Sequence, residues 1–273
     1  MIMKGLTLYT YMILALSVLV LFNVYQDVFT LRVVEAVAMS VSTAVLLDGI
    51  IIRRKERKFR FPGGALISGL IIAALLEPDI ENKFIYLIAP TLAILSKHII
   101  RVSNRNMFNP AAFGLLTTAI LFQGVITWWA ATPFYLVVPF GLFMIYKMRG
   151  WYLILSFLLT SVPLYIIYGV MHQIDLMDSI GLINVFFVLF MLTEHKSAPQ
   201  TTKAKVIYGS LIGILAFTLH FYYPHIDNAI LALLVGNLSV PVINKWVKTN
   251  RPRSSTGTVN QNNNAQQADP THG

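Results

Sequence analysis

The chain contains no cysteine, which excludes disulfides, iron–sulfur clusters and thiolate metal centres made from its own side chains. Charge is scarce too: 12% of the 273 residues are charged against 56% apolar, far from the balance of a soluble domain. The sequence shows no Ser/His/Asp arrangement, phosphate-cradling glycine-rich loop or metal-ligand spacing. No stretch reads as a soluble catalytic domain. Any redox chemistry would need a cofactor or a partner subunit.

Acidic residues are the scarcer sign, 12 against 21 basic ones. A basic excess can mark a nucleic-acid partner, but its placement decides against one. Nineteen of the 21 Lys and Arg fall in alternate connections between apolar runs, from Lys4 through Arg53, Lys97, Lys147 and Lys196 to Arg253. The intervening connections hold only Arg32 and Lys83, beside Asp27, Glu77, Asp79, Glu81, Asp175, Asp178 and Asp227. That asymmetry follows the positive-inside rule and predicts a multi-pass protein of the cell membrane with both termini cytoplasmic. The partner that this charge implies is the lipid bilayer, not nucleic acid. The first apolar run lacks a small-residue cleavage site and reads as a retained span.

Apolar runs between turn signals define ten segments: 5–23, 31–52, 63–77, 84–101, 109–123, 130–147, 150–168, 180–194, 205–222 and 227–246. Three of them are near 15 residues, about 22 Å of helix against a hydrocarbon core of about 30 Å. Such spans must be buried in protein or continued by non-helical backbone lining a cavity. Two segments look like copies. Lys83-Phe84-Ile85-Tyr86 stands fifteen residues before His98, and Lys205-Val206-Ile207-Tyr208 fifteen before His220. Asn109-Pro110-Ala111-Ala112 has a weaker counterpart in Asp227-Asn228-Ala229-Ile230. The copies lie five segments apart and so point in opposite directions. The sequence thus predicts an all-α polytopic membrane domain over 1–246, a five-plus-five inverted repeat with halves of about 1–123 and 130–246. Short or broken helices in matching places locate a midplane site in such folds. The remainder, 247–273, is polar and aperiodic and reads as a disordered cytoplasmic tail.

The most informative stretch runs from Lys97 to Leu116. A turn rich in cations and amides leads into Asn109-Pro110, an N-cap followed by the first helical position, where proline costs no hydrogen bond. With its core Phe108-Asn109-Pro110-Ala111-Ala112-Phe113-Gly114, the stretch resembles the NqrB/RnfD family. These are membrane subunits of the sodium-translocating NADH:quinone oxidoreductase and of the Rnf electron-transport complex. Gly64 to Leu70 leading to Glu77-Pro78, the turn Met191-Leu192-Thr193-Glu194-His195-Lys196-Ser197-Ala198-Pro199, and Lys203 to Gly209 agree with the family in order. The resemblance spans about residues 62–245 and implies a urea-channel-like fold, other complex subunits as partners, and electron transfer coupled to cation translocation. It also implies flavin mononucleotide (FMN) linked to a Thr in a Ser-Gly-Ala-Thr-type motif. Here only Ala130-Ala131-Thr132-Pro133 echoes that motif, without the Ser-Gly, so the usual attachment motif is absent. The family's Asp in the late turn is Glu194. Two other readings stay open: a flavin-free small-solute channel of the related fold, and a structural membrane subunit.

Individual residues carry paired readings. Asn109 is either a buried structural cap or, with Lys97, Arg101 and Arg105, a site for a phosphate, a flavin phosphate or lipid headgroups. Thr132 is the one position left for a flavin linkage. Glu35, Glu77 and Glu194 are candidates for an ion pathway, because intramembrane carboxylates are costly and mark ion routes. Against that, Glu35 and Asp48 are within snorkelling reach of headgroups, and Glu77 and Glu194 can simply end helices at the water boundary. His98 and His220 invite a bis-histidine haem, but the inverted repeat puts them at opposite membrane faces. Trp128-Trp129 and Tyr222-Tyr223 read as interfacial anchors.

Overall fold

Helix α1 spans Leu8–Gln26, α2 Thr30–Glu56, α3 Gly63–Leu75, α4 Ile85–Ile99 and α5 Pro110–Phe122. Then come α6 (Phe134–Met148), α7 (Trp151–His172), α8 (Leu176–Gly181), α9 (Thr202–Tyr222) and α10 (Asn228–Thr249). The computed structural model describes residues 7–26, 30–57, 60–102, 105–122, 126–194, 196–223 and 226–249. Most of the tail expected at 247–273 therefore lies outside the described residues. The extended elements among them are a two-stranded hairpin, β1 (Arg101–Val102) paired antiparallel with β2 (Arg105–Asn106), and an isolated bridge between Leu76 and Ile126.

Five of these helices (α1, α2, α7, α9 and α10) are long and apolar enough to cross a bilayer; α3, α4, α5 and α6 are shorter apolar helices. Side chains such as Leu21, Leu31, Leu159, Val170 and Val242 are exposed along them. Outward apolar surface on this scale is what a hydrocarbon solvent demands. The chain is a polytopic, all-helical membrane protein.

The packing has a repeated order. Helix α4 lies against α2 and α5, and α9 lies against α7 and α10. Helix α3 packs on α1, and the π-helical turn Phe187–Met191 packs on α6. Close approach depends on glycine at these crossings: a Cβ on Gly114 would strike the Ala89 carbonyl oxygen of α4, and one on Gly209 would strike Leu153 of α7. The buried centre is filled by Phe157, Phe186, Phe187 and Phe190 with the tyrosines Tyr86 and Tyr208. Tyr86 donates its hydroxyl to the Glu77 carbonyl at 2.7 Å, and Tyr208 donates to Asn237 Oδ1. Burying a Tyr requires such a partner.

Two segments stop inside the bundle. Helix α3 is 13 residues long, about 20 Å. Its last carbonyls are taken up by the chain at 126–129: Leu75 O accepts from the Thr127 and Trp128 amides, and Ala73 O from Trp129 Nε1 at 2.8 Å. The segment expected at 180–194 is not one continuous span. It is interrupted after α8, restarts where Asn184 Oδ1 accepts the Phe187 amide at 2.9 Å, and widens into the π-turn. An Asn at a helix start supplies this acceptor, and π geometry recurs where a helix is locally displaced.

Candidate functional site

Contacts between connections sort the bundle into two ends. At one end, Arg105 donates to Ala198 O at 3.0 Å, Lys205 Nζ to Arg149 O at 2.9 Å, and Lys147 lies over the Tyr11 ring. At the other, Arg32 pairs with Asp79, Lys83 with Glu35 at 2.6 Å, and Trp128 Nε1 donates to Asp227 Oδ2 at 2.6 Å. The first end carries the basic connections.

At the basic end a cavity of about 120 Å³ opens between the starts of α1, α3 and α5 and the end of α6. Its walls are largely apolar, from Met12, Ile71, Met144 and Phe190, and its polar groups include Ser68, Lys97, Asn106, Asn109, Glu194 and Lys196. Lys97, Asn109 and Glu194, singled out in the sequence, thus meet around one cavity. Asn109 Oδ1 accepts the Ala112 amide at 3.1 Å and caps α5, while its Nδ2 donates to Met191 O at 3.3 Å. Ser197 donates to Glu194 Oε2 at 2.6 Å.

Behind this wall lies a network that the sequence does not announce as one. Asp48 of α2 is fully buried, 2.7 Å from Lys97 Nζ and 2.6 Å from His98 Nε2. Nothing local links residues half a hundred positions apart. The signal was a carboxylate well inside an apolar run, facing cations one segment pair later. A second cavity, of about 570 Å³, lies beside the first, between the hairpin, the 196–201 turn and α10, and Arg105 lines it. Burial draws the Arg105 pKa below its ordinary value, and Glu194 opposes that shift. Arg101 is exposed on β1.

The remaining candidates stand elsewhere. Glu35 is at the opposite end, half-exposed against Lys83. Glu77 is there too, where its Oε1 accepts the Asp79 amide at 3.3 Å. His220 meets Asn228 at 3.0 Å, so the two histidines belong to separate networks. The indoles of Trp128 and Trp129 are committed to Asp227 and Ala73 O, and therefore brace protein segments.

Thr132 is also at that opposite end, its hydroxyl donating to Asn23 Oδ1 and Trp129 O, both at 3.1 Å. The nearby cavity of about 260 Å³, lined by Ala131 and Trp128, has Asp227 as its one charged group among the described residues. A flavin phosphate needs cations or a cradle of amides. The cavity beside Thr132 offers a carboxylate, and the two cations described at that end, Arg32 and Lys83, are paired with Asp79 and Glu35. These residues do not fit a phosphoester-linked flavin.

The profile of the NQR2, RnfD, RnfE family matches residues 6–140 and 132–252. The chain belongs to that family. It is 38% identical over 64 residues to the D subunit of the ion-translocating oxidoreductase complex of Haemophilus ducreyi, covering 23% of this chain and 18% of that one. The corresponding protein of Mannheimia succiniciproducens is 34% identical over 70 residues, 26% of this chain and 19% of that one. That of Pectobacterium atrosepticum is 27% identical over 118 residues, 40% of this chain and 32% of that one. The matched stretches thus span less than a third of the length of these relatives.

Proposed function

We propose that the chain is a membrane subunit of an ion-translocating electron-transport assembly, with its bundle arranged as a five-plus-five inverted repeat and both termini in the cytoplasm. The observation that carries the function is the family match over residues 6–140 and 132–252, and the repeat is supported by a pair of crossed helix caps. Asn109 caps α5 and reaches the end of the π-turn at Met191; Asp227 caps α10 through the Ile230 amide and reaches Trp128, whose own amide bonds Leu75 at the end of α3. Each half's last helix is therefore tied to the other half's broken segment, as a twofold in the membrane plane requires.

In this reading Glu194 and Glu77, at the two ends of the bundle, bracket the cation path, which enters beside Lys97 and Asp48. Glu35, bound to Lys83, stabilises the far end. Electrons are carried by partner subunits, because Thr132 is a poor flavin site. The test is purification of the tagged chain from native membranes. Co-purification of coloured flavin or iron–sulfur subunits is the expected result, with donor-driven cation uptake at least tenfold lower in Glu194→Gln. A colourless protein that purifies alone would overturn the proposal. The misfit at Thr132 favours a second reading, a flavin-free facilitator of small solutes. Stopped-flow solute uptake by liposomes holding the chain alone separates the two.

A further inference from the structure

We propose that the 570 Å³ cavity between the β1–β2 hairpin, the 196–201 turn and α10 binds a phosphate-bearing anion. This site is distinct from the Asn109 cavity and does not depend on a role in electron transport.

Charge is the first observation. Arg105, Lys196, Lys245 and Lys248 line the cavity, and no carboxylate does among the described residues. Asn237, Pro241, Asn244, Lys245 and Lys248 recur at helical spacing, so one face of α10 presents both amides and ammonium groups to it. Arg105 fixes the opposing wall by its bond to Ala198 O, which holds the hairpin against the turn. The ammonium of Lys196 turns toward the Tyr9 ring of the neighbouring cavity, which leaves Arg105, Lys245 and Lys248, from two chain segments, to make a field that an oxyanion neutralises.

The second observation is independent of charge. Asn237 has no exposed surface and lines the cavity. Its Oδ1 accepts from Tyr208, while its Nδ2 has no hydrogen-bond partner. Buried donors are nearly always paired, and one left open in a native site calls for an acceptor. A phosphate oxygen is an acceptor of the charge that the surrounding cations favour. The Asn109 cluster lacks this character: its amide is spent on Met191 O, and Lys97 on Asp48.

The shared chemistry has two sources. Trp246 and Val242 are exposed on α10 beside the lysines, the level at which an anionic lipid headgroup sits. A soluble phosphate compound would reach the same donors from water.

The test uses the full chain in detergent, with its thermal unfolding midpoint followed in two titrations at matched ionic strength. One titrant is inorganic phosphate, the other dihexanoyl-phosphatidylglycerol as monomers. At a hundredfold excess over Kd, binding raises the midpoint by about 5 °C or more. The double variant Lys245→Gln/Lys248→Gln, altered only at exposed positions, should fold as wild type and lose at least two-thirds of that rise. A response to inorganic phosphate supports the site and assigns it to soluble phosphates. A response to the lipid alone supports it and assigns a headgroup. No response to either, or an equal response in the double variant, overturns the proposal. Asn237→Leu, where it folds, should abolish the response while keeping the side chain's bulk.

Discussion

Removing the Asp48 carboxylate gives the sharpest test of the interior electrostatics. Asp48 has no exposed side-chain surface and holds Lys97 at 2.7 Å and His98 at 2.6 Å; the Lys97 side chain is only 14% exposed. Asp48→Ala leaves that ammonium buried without its partner. Breaking one side of a buried pair costs about 3–5 kcal/mol. Because Lys97 also borders the cavity, water relieves part of the loss and the lower end applies, about 3 kcal/mol. For a chain of this size, each kcal/mol moves the midpoint by about 2–4 °C, so a fall of about 6–12 °C is expected. Asp48→Asn keeps an acceptor and the shape, and should lose about half as much. Replacing both charges, as in Asp48→Leu/Lys97→Met, removes the stranded ion as well as the pair. That double variant should lie within about 1 kcal/mol of wild type, well short of the sum of the single changes. Tryptophan fluorescence during heating in detergent reads these four proteins and the single variants Asp48→Leu and Lys97→Met. A midpoint for Asp48→Ala within 2 °C of wild type, or losses that simply add in the double variant, would refute the reasoning.

Three further outcomes follow from local geometry. Gly114→Val drives a side chain into Ala89 and Ala93 of α4 and should cost about 1–3 kcal/mol or more, whereas Gly49→Ala, with nothing within 4 Å of the new Cβ, should stabilise α2 by about 0.5–1 kcal/mol; chemical or thermal denaturation distinguishes them. Asn109→Asp keeps the α5 cap but sets an oxygen against Met191 O, and Asp227→Asn keeps the α10 cap but sets an NH2 against the Trp128 N–H. Each should lose about 1–3 kcal/mol, and only Asp227→Asn should alter Trp128 fluorescence. A denaturing gel of the wild-type chain, viewed for flavin fluorescence, should be dark at its mass; a bright band lost in Thr132→Val would show the misfit at Thr132 to be wrong.

Much of the architecture was written in periodicity and charge. Long apolar runs mark α1, α2, α7, α9 and α10 because hydrocarbon solvent leaves no other use for them, and Asn109-Pro110 marks the start of α5 by cap chemistry alone. Segment 180–194 was harder. Apolar composition cannot distinguish a continuous span from α8 followed by a π-turn, since both bury the same side chains; the break depends on Asn184 bonding the Phe187 amide. At the site, Lys97, Asn109 and Glu194 were legible one by one, because each is a polar residue in apolar surroundings. That Asp48 joins Lys97 and His98 was not, since pairing across 49 and 50 positions is decided by how α2 crosses α4. Asn237 passed unread within its apolar run, although an amide between Gly236 and Leu238 carries the same warning as a charge: a buried polar group must find a partner.

The caps at 109 and 227 hold the same place, at the starts of α5 and α10, yet differ in residue. Both residues use Oδ1 to satisfy an amide three positions on, so either Asn or Asp serves that purpose. The second arm is what differs. At 109 it meets a carbonyl, the last of the π-turn, and must donate; at 227 it meets an indole N–H and must accept. Under the proposed inverted repeat, broken segments that both ended in the same way would tolerate the same residue twice. Here α3 ends in extended backbone bridged to Ile126, and the second broken segment ends in a π-turn whose last carbonyl accepts from Asn109 as well as from the Glu194 amide. The cap follows the neighbour's geometry, and with it goes the charge: a neutral amide remains at the basic end beside Lys97, and a carboxylate at the end that holds Thr132.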